Sequence, residues 1–326
     1  MITNTVTLLV DIFLLLICIM QISANFVVLF VWGMNRKLRA NDNLILLVSL
    51  AFIDFVYAVL QFPYLVILIR EWKPDGMDFN YDPWVIVPLG GPSAALMKSG
   101  CTITTAIAID RILALYTPTR YYTFSKRRWC TSAFIFSLIM ALIDWIVLQL
   151  TVEIQPMPRC SSFGCFTNKT FRAYWGLSNM LMNLLSCLFT VVIMFHLWKR
   201  TAINKARMQE IEKANRSKID SSANRVALYI LLVSALIGVV PGCMNGIGTI
   251  VEIPILNEIS FFVGTCATLS GLSHAFIFAM AHREIKHAIN TQLLSICFPS
   301  LKQTIKTETT SKTPLPTVSL NGPIRI

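Results

Sequence analysis

Seven long stretches of this chain are almost entirely apolar, and no other feature constrains its fold as tightly. They lie near residues 7–33, 43–69, 85–116, 130–152, 173–198, 226–250 and 258–281. A bilayer core takes about 20 such residues per helix, so each stretch is long enough to span. The runs are continuous rather than alternating, which excludes the strand pattern of a membrane barrel. Composition agrees: 55% of the 326 residues are hydrophobic and 14% are charged, where a soluble domain carries about 25% charged. The pattern predicts an all-α membrane protein built as a seven-transmembrane helix bundle. The start of the third span is the least defined, because Pro88, Gly90, Gly91 and Pro92 interrupt it.

Basic residues set the expected orientation. Arg36, Lys37 and Arg39 fall in the first inner loop, and Arg120, Lys126, Arg127 and Arg128 in the second. The long third loop, about 199–225, and the C-terminal segment hold most of the rest of the 28 Lys and Arg, while Arg70, Lys73, Arg159, Lys169 and Arg172 fall outside. The N-terminus is therefore expected outside and the C-terminus in the cytoplasm. The net charge of +11 reads as topology and attraction to the inner leaflet of the bilayer, not as nucleic-acid binding. No Lys or Arg precedes Arg36, so no basic signal-peptide region is evident, and the first run reads as an uncleaved anchor. One membrane domain is expected over 1–298 and a disordered Ser/Thr/Lys-rich tail over 299–326.

Charges inside the spans are costly and face the bundle interior with a partner. They are Asp11, Asp54, Lys98, Asp110, Arg111 and Asp144. At about 1.5 Å per residue, Asp54, Lys98 and Asp144 sit at similar depths, roughly 18, 20 and 23 Å from the inner edge. Lys98 could then pair with Asp144 or with Asp54, either as a structural ion pair or as the charged lining of a ligand cavity. Pro63 and Pro241 each remove a backbone donor and favour a kink; Gly238 and Gly242 flank the second. Cys160-Ser161-Ser162-Phe163-Gly164-Cys165 lies in the second outer loop, where an intraloop disulfide or two separate thiols both fit. Asn168-Lys169-Thr170 is a glycosylation sequon in the same loop. Cys297 follows an amphipathic stretch and is a palmitoylation candidate. The Ser and Thr of the tail are candidate phosphorylation sites for an arrestin-like partner, or simply a solvated tail. The four His are dispersed and no nucleophile–base, paired-carboxylate or Gly-rich phosphate arrangement stands out. No enzyme activity, metal or cofactor is expected.

Several motifs resemble those of rhodopsin-like seven-helix receptors. Asn25 in Ser23-Ala24-Asn25-Phe26 resembles the first-helix Asn. Leu50-Ala51-Phe52-Ile53-Asp54 resembles the second-helix acid motif. Asp110-Arg111-Ile112-Leu113-Ala114-Leu115-Tyr116-Thr117-Pro118 resembles the third-helix switch, Pro241 the sixth-helix Pro, and His282 to Ala288 the start of a short amphipathic eighth helix. Two features depart from that pattern. The seventh span reads His274-Ala275-Phe276-Ile277-Phe278 in place of Asn-Pro-x-x-Tyr, and the top of the third span lacks the usual Cys. With Cys160 to Cys165 and Lys213-Ala214-Asn215-Arg216, the chain most resembles the Srbc class of nematode serpentine chemoreceptors, with the Srsx class as runner-up. The resemblance implies a plasma-membrane receptor of sensory neuron cilia that binds an odorant or pheromone and activates a heterotrimeric G protein. It also implies that Asp110, Arg111, Pro241, Asp54 and Asn25 switch the receptor. Arg111, Arg120, Lys126, Arg127 and Arg128 would meet the G protein, and Lys98 and Asp144 would line the ligand pocket. The rival class is a transporter or channel that uses Asp54, Lys98 and Asp144 as a relay.

Overall fold

The computed structural model describes residues 4–73, 81–123, 125–152, 154–155, 162–207, 226–238, 241–242, 260–281 and 285–289. Every regular element among them is helical. The long helices are α1 (Asn4–Met34), α2 (Ile45–Arg70), α3 (Pro83–Tyr116), α4 (Lys126–Thr151), α5 (Lys169–Arg207), α6 (Val226–Gly238) and α7 (Ser260–Ala281). Five of these, α1, α2, α4, α5 and α7, are long and apolar enough to cross a membrane on those grounds alone. α3 is longer than most of them but carries Lys98, Asp110, Arg111 and a run of Ser and Thr.

Local chemistry fixes the helix ends. Asn35 has an extended backbone, and its side chain accepts hydrogen bonds from the Lys37 and Leu38 N–H groups. It thereby ends α1 and caps the short helix Arg36–Arg39. The Asp82 carboxylate accepts from the Trp84 N–H at 2.9 Å, and Pro83 takes the first helical position of α3, where its missing N–H costs nothing. Asn168 does the same for α5, accepting from the Thr170 N–H at 3.0 Å.

The start of α3 differs from the expectation of an interrupted span. The helix runs unbroken from Pro83 through Pro88, Gly90, Gly91 and Pro92. Neighbouring groups make this possible, as they do for Pro in other membrane helices. Ser93 Oγ donates to the Gly90 carbonyl at 2.9 Å. Phe163 packs against Gly90, and Trp145 and Leu148 pack against Gly91, where side chains larger than hydrogen would collide. Likewise α2 passes through Pro63 as one helix.

In the bundle, α1 packs on α2 and α7, α2 on α3, and α3 on α4 and α5. α6 joins through Val226, Ala227, Ile230 and Leu231, which sit in the larger apolar cluster with Val28, Leu47, Ile103, Ile107 and Phe278. That cluster fills the half of the bundle next to the basic loops. A second cluster, around Leu14, Ala58, Tyr64, Leu65, Ile86 and Phe166, fills the opposite half. Beyond α7, residues 285–289 form a helical turn with Ile285 and Ala288 buried and Lys286 and His287 exposed, an amphipathic eighth helix.

Candidate functional site

Between the two apolar halves lies a belt of buried polar groups. Asp54 on α2 accepts a hydrogen bond from His274 Nδ1 on α7 at 2.9 Å. The tautomer that carries its proton on Nδ1 leaves Nε2 as an acceptor. Ser234 on α6 and Ser270 on α7 lie 2.8 and 3.2 Å from that nitrogen. On the other side Gln21 of α1 donates to the Asp54 carbonyl at 2.9 Å. Asn25 donates to the Gln21 carbonyl at 3.0 Å and reaches the Gly271 carbonyl at 3.5 Å. Gly271 is required here, because a Cβ would overlap the Gln21 amide and press on the Asp54 carboxyl at 3.2 Å. The network therefore joins four helices, α1, α2, α6 and α7.

His274 is the site residue that sequence reasoning missed. The sequence presents it only as one of four dispersed histidines and as the first residue of the seventh-span stretch that stands in place of Asn-Pro-x-x-Tyr. The available signal was Asp54 itself, a buried acid that needs a partner, together with the place of His274 where related receptors carry a different motif.

Lys98 and Asp144 form a second, separate centre among α3, α4 and α5. The Lys98 Nζ lies 3.8 Å from Asp144 Oδ2 and donates to Ser178 Oγ at 2.5 Å. Tyr174 donates to Asp144 Oδ1 at 2.8 Å. Both charges are fully buried. Of the two partners open to Lys98 from depth alone, the bundle brings it to Asp144, while Asp54 turns to His274.

The third centre lies at the basic end. Arg111 Nη2 is 3.0 Å from Asp110 Oδ2. Tyr121, on the short helix Pro118–Thr123, donates to both Asp110 oxygens at 3.2 and 3.3 Å. Burial, and then the Asp110 charge, hold the Tyr121 phenol well above its ordinary range, so it stays a donor. Lys126 lies over the Tyr121 ring, 4.4 Å from its centre, and hydrogen-bonds Asn43. Arg120, Arg127 and Arg128 are exposed around this centre.

Two cavities open along the belt. One is lined by Asp54, Tyr57, Trp175, Asn179, Ser234, Pro241, Ser270 and His274, among others. Its lining therefore includes the first polar network. The other lies nearer the N-terminus of α1 and is lined by Asp11, Tyr64, Phe163, Phe171, Arg172 and Trp175 with their neighbours. Neither Lys98 nor Asp144 lines either cavity, because each is turned into the contacts among α3, α4 and α5. Met97 and Cys101, on either side of Lys98 along α3, do reach the first cavity.

Other expected sites fall at the margins. Cys165 is disulfide-bonded, and Cys160 lies outside the described residues. Cys18, Cys101, Cys130, Cys187 and Cys266 are free thiols. Pro241 is helical and buried, with residues 239 and 240 outside the description. Cys297 and the tail lie outside it as well. Among the described residues no group of His, Cys, Asp or Glu is arranged to hold a metal ion.

Comparison with known families gives one finding. Residues 3–253 match the family model described as serpentine type 7TM GPCR chemoreceptor Srbc. A search of curated proteins finds no match. The matched span takes in α1 to α6, including Asn25, Asp54, the Lys98–Asp144 pair and Asp110–Arg111. A multi-pass helical chain with this buried polar belt, matched over most of its length, belongs to the serpentine seven-transmembrane chemoreceptor family Srbc.

Proposed function

We propose that this chain is a small-molecule receptor of sensory cilia, N-terminus outside, that couples occupancy of its interhelical cavity to a heterotrimeric G protein. One observation carries the reading. Asp54, Ser234, Ser270 and His274 line the cavity and also hydrogen-bond one another across α2, α6 and α7. A ligand in that cavity competes directly for the bonds that tie α6 to the bundle. It shifts the equilibrium between two states only by its differential affinity for them, and these bonds supply such a difference.

In the resting state Ser234 anchors α6 to His274. Gly238 and Gly242 let α6 approach Asn183 of α5, within 3.0–3.1 Å of where a Cβ would sit. Pro241 lies between these glycines and is the hinge. Release of Ser234 frees α6 to swing about Pro241. The Asp110–Arg111–Tyr121 contact then opens at the cytoplasmic edge and accepts the C-terminal helix of a Gα subunit. Arg120, Arg127 and Arg128 face that partner, and Lys126 holds the loop. Lys98 and Asp144 act through the packing of α3 on α4 and α5 rather than by touching the ligand. A Cys160–Cys165 disulfide and a glycan on Asn168 fit the outer loop, palmitoylation of Cys297 the inner leaflet, and the Ser/Thr tail an arrestin-like protein.

The rival relay of Asp54, Lys98 and Asp144 gains no support from the geometry. Asp54 bonds His274 between α2 and α7, whereas Lys98 and Asp144 are enclosed among α3, α4 and α5.

The test is Gα recruitment in cells expressing the full chain, scanned with an odorant panel, for wild type and His274→Leu at matched surface levels. The reading expects ligand-dependent recruitment in wild type and an altered ligand dependence in the variant. An identical response from the variant contradicts the coupling role, and solute flux without recruitment contradicts the receptor reading.

A further inference from the structure

The cavity next to the first turns of α1 contains an acidic side chain that the network above does not use. Asp11 lies seven residues into α1, about 10 Å from its start at 1.5 Å per residue, and only 4% of its surface is exposed. It lines the cavity. Its Oδ2 has no hydrogen-bond partner among the described residues. Each of the other intramembrane acids has a hydrogen-bond or ion-pair partner: Asp54 has His274, Asp110 has Arg111 and Tyr121, and Asp144 accepts from Tyr174 at Oδ1 and lies 3.8 Å from Lys98.

A buried carboxylate without a partner is expensive, and in a bilayer such a group marks a functional site. The rest of the lining is chemically suited to one kind of partner. Tyr64, Phe163, Phe171 and Trp175 present aromatic surfaces to the same space, and aromatic faces attract cations as well as apolar groups. Tyr64 is held in place by the Phe163 N–H, which donates to its hydroxyl at 2.9 Å. The other charged residue on the lining, Arg172 of α5, makes no hydrogen bond to Asp11 Oδ2.

We propose that this cavity binds a small organic cation, a protonated amine with an aromatic or apolar body, and that Asp11 is its counter-ion. The proposal names the ligand class of the receptor read above and rests on that reading for its biological meaning, but not for its test. The ammonium donates to the Asp11 carboxylate, and the body lies against the aromatic side chains. Met97, Tyr57, Trp175 and Val263 line both cavities, so a body reaching inward from Asp11 meets the wall of the cavity that holds His274.

The experiment uses the full chain in lipid nanodiscs without G protein. Thermal unfolding is followed with 2-phenylethylamine and with its neutral counterpart 2-phenylethanol, for wild type, Asp11→Asn and Asp11→Glu. The proposal expects the amine, and not the alcohol, to raise the wild-type Tm. Asp11→Asn weakens the amine on the order of thirtyfold or more, and Asp11→Glu retains a measurable amine preference. Without ligand, Asp11→Asn is expected to leave the Tm unchanged or raise it, because it replaces a buried carboxyl that lacks a partner. A lowered Tm in Asp11→Asn shows an internal partner and overturns the proposal. So does equal response to amine and alcohol, or no amine preference at millimolar concentration. A chain that binds the amine but never recruits Gα keeps this inference and loses the receptor reading. Recruitment driven by neutral odorants alone does the reverse.

Discussion

α3 and α4 cross the same bundle side by side, yet their sequences follow opposite rules. α4 places Ile135, Phe136, Ile139, Leu142, Ile143, Ile146 and Leu150 on the outside, with Ser137, Ala141 and Asp144 buried. It is an inverted amphipath whose polar side points inward. α3 has Ser93, Lys98, Ser99, Thr102, Thr104, Thr105, Asp110 and Arg111 buried, and it packs on α2, α4 and α5. A bilayer tolerates polarity where protein surrounds it. Lipid offers no hydrogen bonds, so the helix with the most protein neighbours carries the most polar groups. On α3 several of these are satisfied locally, as when Thr102 donates to the Lys98 carbonyl and Thr105 to the Cys101 carbonyl at 2.8 Å each. Ser99 instead reaches across to Ser137 of α4 at 3.0 Å.

The strongest challenge to this contrast is to break the one charge pair that α3 and α4 share. Lys98→Met alone leaves Asp144 buried without its cation and is expected to cost about 3–5 kcal/mol. The double variant Lys98→Met with Asp144→Leu is expected to recover most of that loss. Thermal unfolding in nanodiscs measures both, and a double variant no better than the single would mean the pair is not the source of the cost. The reciprocal experiment puts charge on the lipid face. Leu142→Lys on α4 is expected to cost about 2.5–3.5 kcal/mol of insertion free energy, read as lost surface expression, whereas Leu142→Ala changes little. Wild-type surface levels for the Lys variant would show that this face meets protein or water, not lipid. The finest discrimination concerns how closely the two helices approach. A Cβ at Gly91 would come within 2.7 Å of Trp145 and Leu148, whereas one at Gly100 meets nothing within 4 Å. Gly91→Ala is therefore expected to lose about 1–3 kcal/mol, and Gly100→Ala to stay within about 0.5 kcal/mol of wild type.

The same contrast explains what could be read from the sequence. The spans of α1, α2, α4, α5 and α7 stand out because their apolar surfaces meet lipid. Asp110–Arg111 and Asn25 were legible because their motifs are short and local. The full course of α3 was not, since Pro88 and Pro92 argue locally for a break and only Ser93, Phe163, Trp145 and Leu148 show how the helix survives. Partner choice was equally hidden. Depth along the helices left Lys98 two acids, and helix order in the bundle decided between them. His274 lies 220 residues from Asp54, so nothing in its own neighbourhood identifies it as the partner. Nothing in the sequence around Tyr121 or Tyr174 marks them as the residues the fold brings to Asp110 and Asp144.

We propose that buried polarity on α3 divides into a structural pair at Lys98 and a switch at Arg111. Gα recruitment by Arg111→Ala, measured beside wild type at matched surface expression, tests it most directly. We expect a variant that folds and reaches the surface but recruits no Gα with any ligand that activates wild type. Normal ligand-dependent recruitment by that variant would contradict it.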